Sequence, residues 1–174
     1  MVFRGGRIDG LQPFQIAQRG LGYIPEDRCI FTELTVLENL EAGRQPARQG
    51  VPNWTVEKLY KLFPNPAETG DRPAAQMSGG EQQMLTIART LMGNPACILL
   101  DETSEGYAPV IVDQMAAAVR KMKSAGLSVL LSEQNLHFAT VLADGAYIIE
   151  KGRIRFNGAM TDLNADVRSA YLAV

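Results

Sequence analysis

The chain has 174 residues, 46% hydrophobic and 21% charged, with a formal net charge of −2, a balance that excludes both a disordered chain and a multi-domain assembly and points to one globular domain or most of one. A pI near 5.5 and the absence of any lysine or arginine run leave no basic field for a phosphate backbone, so nucleic acid is not an expected partner. Cys29 and Cys97 are too few and too far apart for a disulfide framework and suit a reducing cytosol. No apolar stretch reaches the roughly 18 residues of a membrane span, and MVFRGGRIDG lacks a signal-peptide core, so any work at a membrane would be done by docking through protein.

The opening VFRGGRIDG reads as the tail of a hairpin around Gly5 and Gly6, and Pro13 then starts a short helix to Gln18. GLGYIPED (20–27) is a short strand broken by Pro25. LTVLENLEAG (34–43) sets Leu34, Leu37 and Leu40 at helical spacing before Gly43. After a polar loop from Arg44 to Asn53, WTVEKLYKLF (54–63) is a second amphipathic helix closed by Pro64 and Pro66, and a linker rich in proline and charge runs to Gln76. From Ser78 the pattern turns regular: helix to Asn94, strand 97–102, helix 109–125, strand 128–133, helix 136–143, then strands AYIIEKG and RIRFNG around Gly152 and a helix over 161–172. Alternating strands and helices predict parallel strands with right-handed crossovers, and the unbroken apolar runs ILL and VLL predict central strands covered on both faces. The last hairpin and helix are expected at the edge.

Two places carry chemistry. Ser78 can cap the helix while Glu81 reaches back to the Ser78 amide, a capping box in its own right. Capping alone does not call for Gly79 and Gly80 in the first turn, where each costs about 1 kcal/mol against alanine. Bare backbone there would let N–H groups and the positive helix end approach an anion, with Gln82 and Gln83 adding polar reach. Met84, Leu85, Ile87, Ala88 and Leu91 are core-facing by spacing. Asp101 and Glu102 stand where CILL leaves the sheet, at the carboxyl end of a parallel strand, where ligands of such sheets bind.

In order and spacing, SGGEQQMLTIARTLM, ILLDE, GYIPEDRCIF, LTVLENL and VLLSEQN resemble the ATP-binding subunits of ABC transporters. The likeness is nearest to the second ATP-binding subunit of branched-chain amino acid importers and runs from near Arg4 to the terminal VRSAYLAV. It implies an α/β fold, an incomplete P-loop NTPase-like parallel sheet flanked by helices, with a helical subdomain at about 34–76 and, over 77–174, the signature helix, Walker B, D-loop, switch region and a C-terminal hairpin plus helix. It implies ATP and Mg2+ as ligands. Ser78, Gly79, Gly80, Glu81 and Gln82 would meet nucleotide, Asp101 would hold the metal, usually through water, and Glu102 would polarise the attacking water. Glu26, in the run Ile24 to Arg28, takes the place of the Q-loop residue near the metal, although a solvated turn after a strand is the plain alternative. Gln134 stands where most members carry the switch histidine; its amide can contact a phosphate and cannot shuttle a proton. His137, the only histidine, reads as a surface or capping residue. SEGYAP (104–109) matches the D-loop region, with Tyr107 in place of a common leucine and Thr103 in place of a common proline, while Pro109 also suits a helix's first turn.

The phosphate-cradling G-x-x-x-x-G-K-S/T does not occur in the 174 residues. The resemblance places it, with the adenine-stacking aromatic, ahead of GRIDG, so the chain is expected to be part of a longer protein whose remainder lies upstream of Met1. Without that loop several charge-assisted contacts to phosphate are missing, each worth roughly 1.5–3 kcal/mol, and tight ATP binding by the chain alone is not expected. Loss of a sheet strand should also expose apolar faces and favour association. The implied partners are a second ATP-binding subunit, packed head to tail, and transmembrane permease subunits, at the cytoplasmic face of the membrane. Urea or other amide import is the neighbouring alternative, and a non-hydrolytic module offering only the signature surface is the alternative from another class. ABC proteins of DNA repair or translation fit less well, given the acidic balance and single cassette.

Overall fold

The computed structural model describes residues 1–63 and 70–171, in two compact units, Met1–Gln134 and Asn135–Val174. The first opens with strands β1 (Val2–Phe3) and β2 (Gly6–Arg7), paired antiparallel with Val2 opposite Arg7. Arg4 and Gly5 both take positive φ, +49° and +78°, the geometry of a two-residue hairpin turn that glycine supplies without strain. The opening is thus a whole small hairpin, and the expected hairpin tail is corrected to that extent. Helix α1 (Pro13–Gln18) follows, its start satisfied by the Gln12 N–H donating to Gln15 Oε1 at 2.8 Å.

Strand β3 (Leu21–Ile24), helix α2 (Val36–Ala42), helix α3 (Val56–Leu62), the helix α4 (Gly79–Met92), strand β4 (Cys97–Asp101), helix α5 (Pro109–Ser124) and strand β5 (Ser128–Ser132) complete the unit. The proline stops at Pro64 and Pro66 lie outside the described residues. The strands form one parallel sheet in the order β3, β4, β5, with Ile98 facing Gly22 on one side and Val129 on the other. Ile24, Ile98 and Leu100 are buried in it. Helix α4 is buried nearly all round: Met84, Leu85, Ile87, Ala88 and Leu91 are core as their spacing predicts, and Gln83 and Thr86 are buried with them. It packs against α2, so closely that a Cβ on Gly43 would lie 2.3 Å from the Arg89 carbonyl oxygen. The helix ends at Met92, two residues before the expected Asn94, because Asn94 turns left-handed at φ +47° and becomes a latch. Its carboxamide accepts from the Trp54 N–H at 2.7 Å and donates to the Gln45 carbonyl at 2.8 Å, holding both ends of the polar loop.

The expectation for VLL is corrected. Among the described residues β4 is central and β5 is bonded only to β4, and Leu130 is 60% exposed. An apolar face therefore stays open at β5.

The second unit holds helix α6 (Leu136–Leu142), strands β6 (Gly145–Glu150) and β7 (Arg153–Ala159), and helix α7 (Ala165–Tyr171). β6 and β7 make their own antiparallel sheet with a bulge at Ile148/Ile149, so the hairpin is not an added edge of the parallel sheet. The predicted helix over 161–172 is a 3-10 turn at Met160–Asp162 followed by α7; residue 172 lies outside the described residues.

Asn39 organises the turn before α2. Fully buried, it accepts from the Phe31 N–H at 2.9 Å and donates to the carbonyls of Phe31 and Thr35, both at 2.9 Å. Leucine there fills the space and leaves the Phe31 N–H without its acceptor, at about 1–3 kcal/mol, while the Phe31 and Thr35 carbonyls keep the Leu34 and Asn39 N–H groups. Asn39→Leu is therefore expected to lower the urea midpoint by the equivalent of about 1–3 kcal/mol with an unchanged slope; an unshifted midpoint rejects this role of Asn39.

Candidate functional site

The carboxyl ends of β4 and β5 carry one half of the site. Asp101 is the last residue of β4, and its Oδ2 accepts from the Tyr23 hydroxyl at 3.1 Å, a bond that raises the pKa of that phenol. Glu102 turns the chain sharply, with φ +47°, and its N–H donates to the Ser132 carbonyl at 2.8 Å. That turn brings its carboxylate within 2.7 Å of Gln134 Nε2, which donates to Oε1. Glu133, between them in sequence, faces the other way and accepts from the Ser104 N–H at 3.0 Å, the Ser104 hydroxyl at 2.8 Å and the Thr103 hydroxyl at 3.4 Å. Thr103, in place of the family's common proline, supplies one of these donors.

Glu105 was not singled out from sequence. Its carboxyl is held to Glu102 by hydrogen bonding and lies in the fields of Glu102, Glu26 and Glu133, which together raise its pKa. Like charges so placed disfavour the ionised form of Glu105. A signal was present: Glu102 and Glu105 are three residues apart across a tight turn, closed by the Glu105 N–H on the Glu102 carbonyl at 3.2 Å.

The other half lies at the start of α4. The capping box forms as expected, with Ser78 Oγ accepting from the Glu81 N–H at 3.4 Å and Glu81 Oε2 accepting from the Ser78 N–H at 2.7 Å. This bond holds the Glu81 carboxyl below its ordinary value, and Arg72 at 3.7 Å adds to the effect. The two glycines have a physical reason that sequence did not suggest. A Cβ on Gly80 would lie 2.8 Å from Ile111 Cγ2 of α5, and one on Gly79 would lie 2.8 Å from the Arg28 guanidinium carbon. Gly80 is thus closed over by the chain itself, and close packing with α5 accounts for it. Gly79 leaves room for a cation at the positive end of the helix. Arg28 is fixed there by Tyr107, whose hydroxyl accepts from Nε at 3.2 Å and whose ring lies 5.7 Å from the guanidinium.

Glu26, Asp27, Arg28, Gln82, Glu105 and Tyr107 line one open cleft of about 530 Å³. Gln82 reaches it while donating to the Met77 carbonyl at 3.1 Å. Glu105 therefore belongs to both halves, bonded to Glu102 and lining the cleft with Glu26. Among the described residues no three His, Cys, Asp or Glu side chains are grouped to hold a metal, so Asp101 and Glu26 form no ready cage. A magnesium ion carried in on phosphate asks for only one or two carboxylates, which Asp101 fits. His137 is exposed on the first turn of α6, as expected of a surface residue.

A parallel sheet that ends in adjacent acids, with a capped helix opened by two glycines, defines an α/β domain with an acidic corner at its strand ends. Residues 2–105 match the ABC transporter family. The chain is 40% identical over 172 residues to the high-affinity branched-chain amino acid transport ATP-binding protein BraG of Pseudomonas aeruginosa, covering 98% of this chain and 74% of that protein. It is 34% identical to the lipopolysaccharide export system ATP-binding protein LptB of Haemophilus influenzae, covering 99% and 73%. Among solved structures, the ADP conformation of MJ1267, an ATP-binding cassette of an ABC transporter, superposes with a TM-score of 0.76 at 25% identity, covering 98% of this chain and 75% of that one. The chain belongs to the ABC transporter ATP-binding family, whose members bind and hydrolyse ATP. No described helix is long and apolar enough to cross a membrane.

Two outcomes test this geometry. Gly80→Ala is expected to destabilise the chain by about 1–3 kcal/mol through overpacking against Ile111, and the double variant with Ile111→Ala to recover most of it; a stabilised Gly80→Ala shows an open helix tip. Because the Glu81 carboxyl is held below its ordinary value of 4.5, its stabilisation is present above that value and fades as pH falls through the lower folded pKa. Glu81→Gln is thus expected to melt below the parent at neutral pH and level with it in strong acid; a gap that stays constant with pH refutes the assignment.

Proposed function

We propose that this chain serves an ABC importer of branched-chain amino acids as an ATP-hydrolysing subunit, docked on permease subunits at the cytoplasmic face of the membrane and paired head to tail with a second ATP-binding subunit. The observation that carries this reading is the Gln134 amide on the Glu102 carboxylate at 2.7 Å, at the end of the sheet and one residue from Asp101. The 40% identity to a branched-chain amino acid transport protein, against 34% to the lipopolysaccharide export protein, supports the solute class.

In this reading Glu102 takes the proton of the attacking water, and Gln134 keeps the carboxylate aimed. A neutral amide in that position orients without exchanging a proton, so Glu102 is left as the base. Asp101 would hold Mg2+, usually through water, and Glu26 would lie near it across the cleft. When bound with ATP, that ion neutralises charge on the phosphates. Ser78, Gly79, Gly80, Glu81 and Gln82 would present the α4 tip to a nucleotide held by the partner subunit, with residues 34–76 as the helical arm that carries motion to the permease and 77–174 as the part bearing the signature helix, Walker B and switch positions. Arg28 adds a positive charge at that tip. As the sequence contains no G-x-x-x-x-G-K-S/T, the amides and lysine that cradle β- and γ-phosphates must come from outside these 174 residues.

The test is a chimera in which the Walker A-bearing segment of the Pseudomonas aeruginosa relative precedes Val2. It is expected to hydrolyse ATP and, with permease subunits in vesicles, to drive leucine uptake in preference to urea. In that background Glu102→Gln should cut turnover about 100-fold or more while ATP still holds the dimer. Undiminished turnover rejects Glu102 as base, and uptake of urea over leucine rejects the solute class.

A further inference from the structure

We propose that Tyr23 is a positioning residue for the cation: by donating its hydroxyl to Asp101 Oδ2 at 3.1 Å, it leaves that carboxylate one free oxygen and so favours Mg2+ over Ca2+. The inference rests on the reading of Asp101 as the carboxylate that meets the ion, and adds to it a residue and a selectivity.

The sheet builds the contact. β3 and β4 run parallel, with Tyr23 opposite Leu99 and Ile24 opposite Leu100. Side chains alternate along each strand, so Tyr23, Leu99 and Asp101 share one face, while Ile24, Ile98 and Leu100 share the other and are buried there. Asp101 stands two residues, about 7 Å, beyond Leu99 toward the carboxyl end. The tyrosine leans along the strand and its hydroxyl covers that distance, which puts a donor from one strand on the terminal acid of the next. The same strand leads three residues on to Glu26, the other acid read as lying near the ion.

The chemistry of the donor decides what the carboxylate can do. A phenol is protonated at neutral pH and gives one hydrogen bond without a positive charge. A lysine or arginine at the same place would also hold Asp101, but its charge would oppose the arriving cation. Tyr23 orients the carboxylate and leaves its charge intact.

With Oδ2 engaged, Asp101 offers Oδ1 alone. Mg2+ keeps several of its waters and demands near-octahedral geometry, so one oriented oxygen, accepting from a metal-bound water, serves it in full. Ca2+ sheds water more readily and takes carboxylates through both oxygens, a clasp that would require breaking the Tyr23 bond. The penalty therefore falls on the larger ion. Groups that orient a metal-binding side chain from behind are worth about 10–100-fold in affinity, so a single hydroxyl is enough to set the preference.

The test uses Tyr23→Phe, which keeps the ring and loses the hydroxyl at a position 55% exposed, where folding tolerates the change. In the chain itself, the ring-carbon resonances of Tyr23 are expected to move on Asp101→Ala and to stay on Glu102→Ala; unmoved resonances in Asp101→Ala overturn the contact. In the Walker A-bearing chimera with Glu102→Gln to preserve nucleotide, calorimetric binding of ATP is measured with Mg2+ or Ca2+ as the sole divalent ion. Tyr23→Phe is expected to weaken binding with Mg2+ about 10-fold and to leave binding with Ca2+ unchanged or tighter, a shift in preference that a mere loosening of the fold would not produce. Equal loss with both ions, or no loss with either, overturns the proposal. Asp101→Asn separates the two readings: if it leaves binding with Mg2+ intact, Asp101 does not meet the ion and both readings fall, whereas a loss there with an unchanged preference in Tyr23→Phe sinks the role of Tyr23 alone.

Discussion

One backbone hydrogen bond, from the Glu102 N–H to the Ser132 carbonyl at 2.8 Å, holds the site together. It continues the β4–β5 ladder one residue beyond Asp101 while Glu102 is already turning left-handed. Without it the turn would open, and the carboxylate would swing away from Gln134. With it, the ends of two parallel strands become one rigid corner. Residues 101–105 and 132–134 then have little freedom, and the side chains project where the pleat sends them. Burial of Thr103 and Ser104 under the Glu133 carboxylate braces the same corner from the other side.

How much of this was legible depended on the kind of signal. The parallel strands, the capping box of Ser78 and Glu81 and the buried face of α4 rest on local period and local bonding, which sequence displays directly. Resemblance puts Gln134 at the switch position as a phosphate contact, but its bond to Glu102 is visible only in the fold, because the two residues are 32 apart and nothing in composition joins them. The partnership of Arg28 and Tyr107, 79 apart, escaped both routes. Tyr107 departs from the family's common leucine, but a departure does not say which distant side chain exploits it. Edges were the hardest. Ile-Leu-Leu and Val-Leu-Leu look alike, yet among the described residues β4 has neighbours on both sides and β5 on one, a difference that lies in the sheet order and not in either segment.

The two glycines show how one sequence feature can have two causes. Bare backbone at a helix start reads naturally as an anion seat, and Gly79 with Arg28 above it keeps that character. Gly80 answers a steric demand from Ile111 instead. Adjacent glycines in one helix turn thus meet two different neighbours, the Arg28 guanidinium and the Ile111 side chain.

The crowd of Glu26, Glu102, Glu105 and Glu133 also filters what can arrive. Several acids sharing a small region repel any approaching species that is itself strongly negative, and the repulsion grows as water leaves the cleft. On the proposed function, a bare triphosphate would meet that repulsion here, and one carrying a divalent ion would meet far less of it.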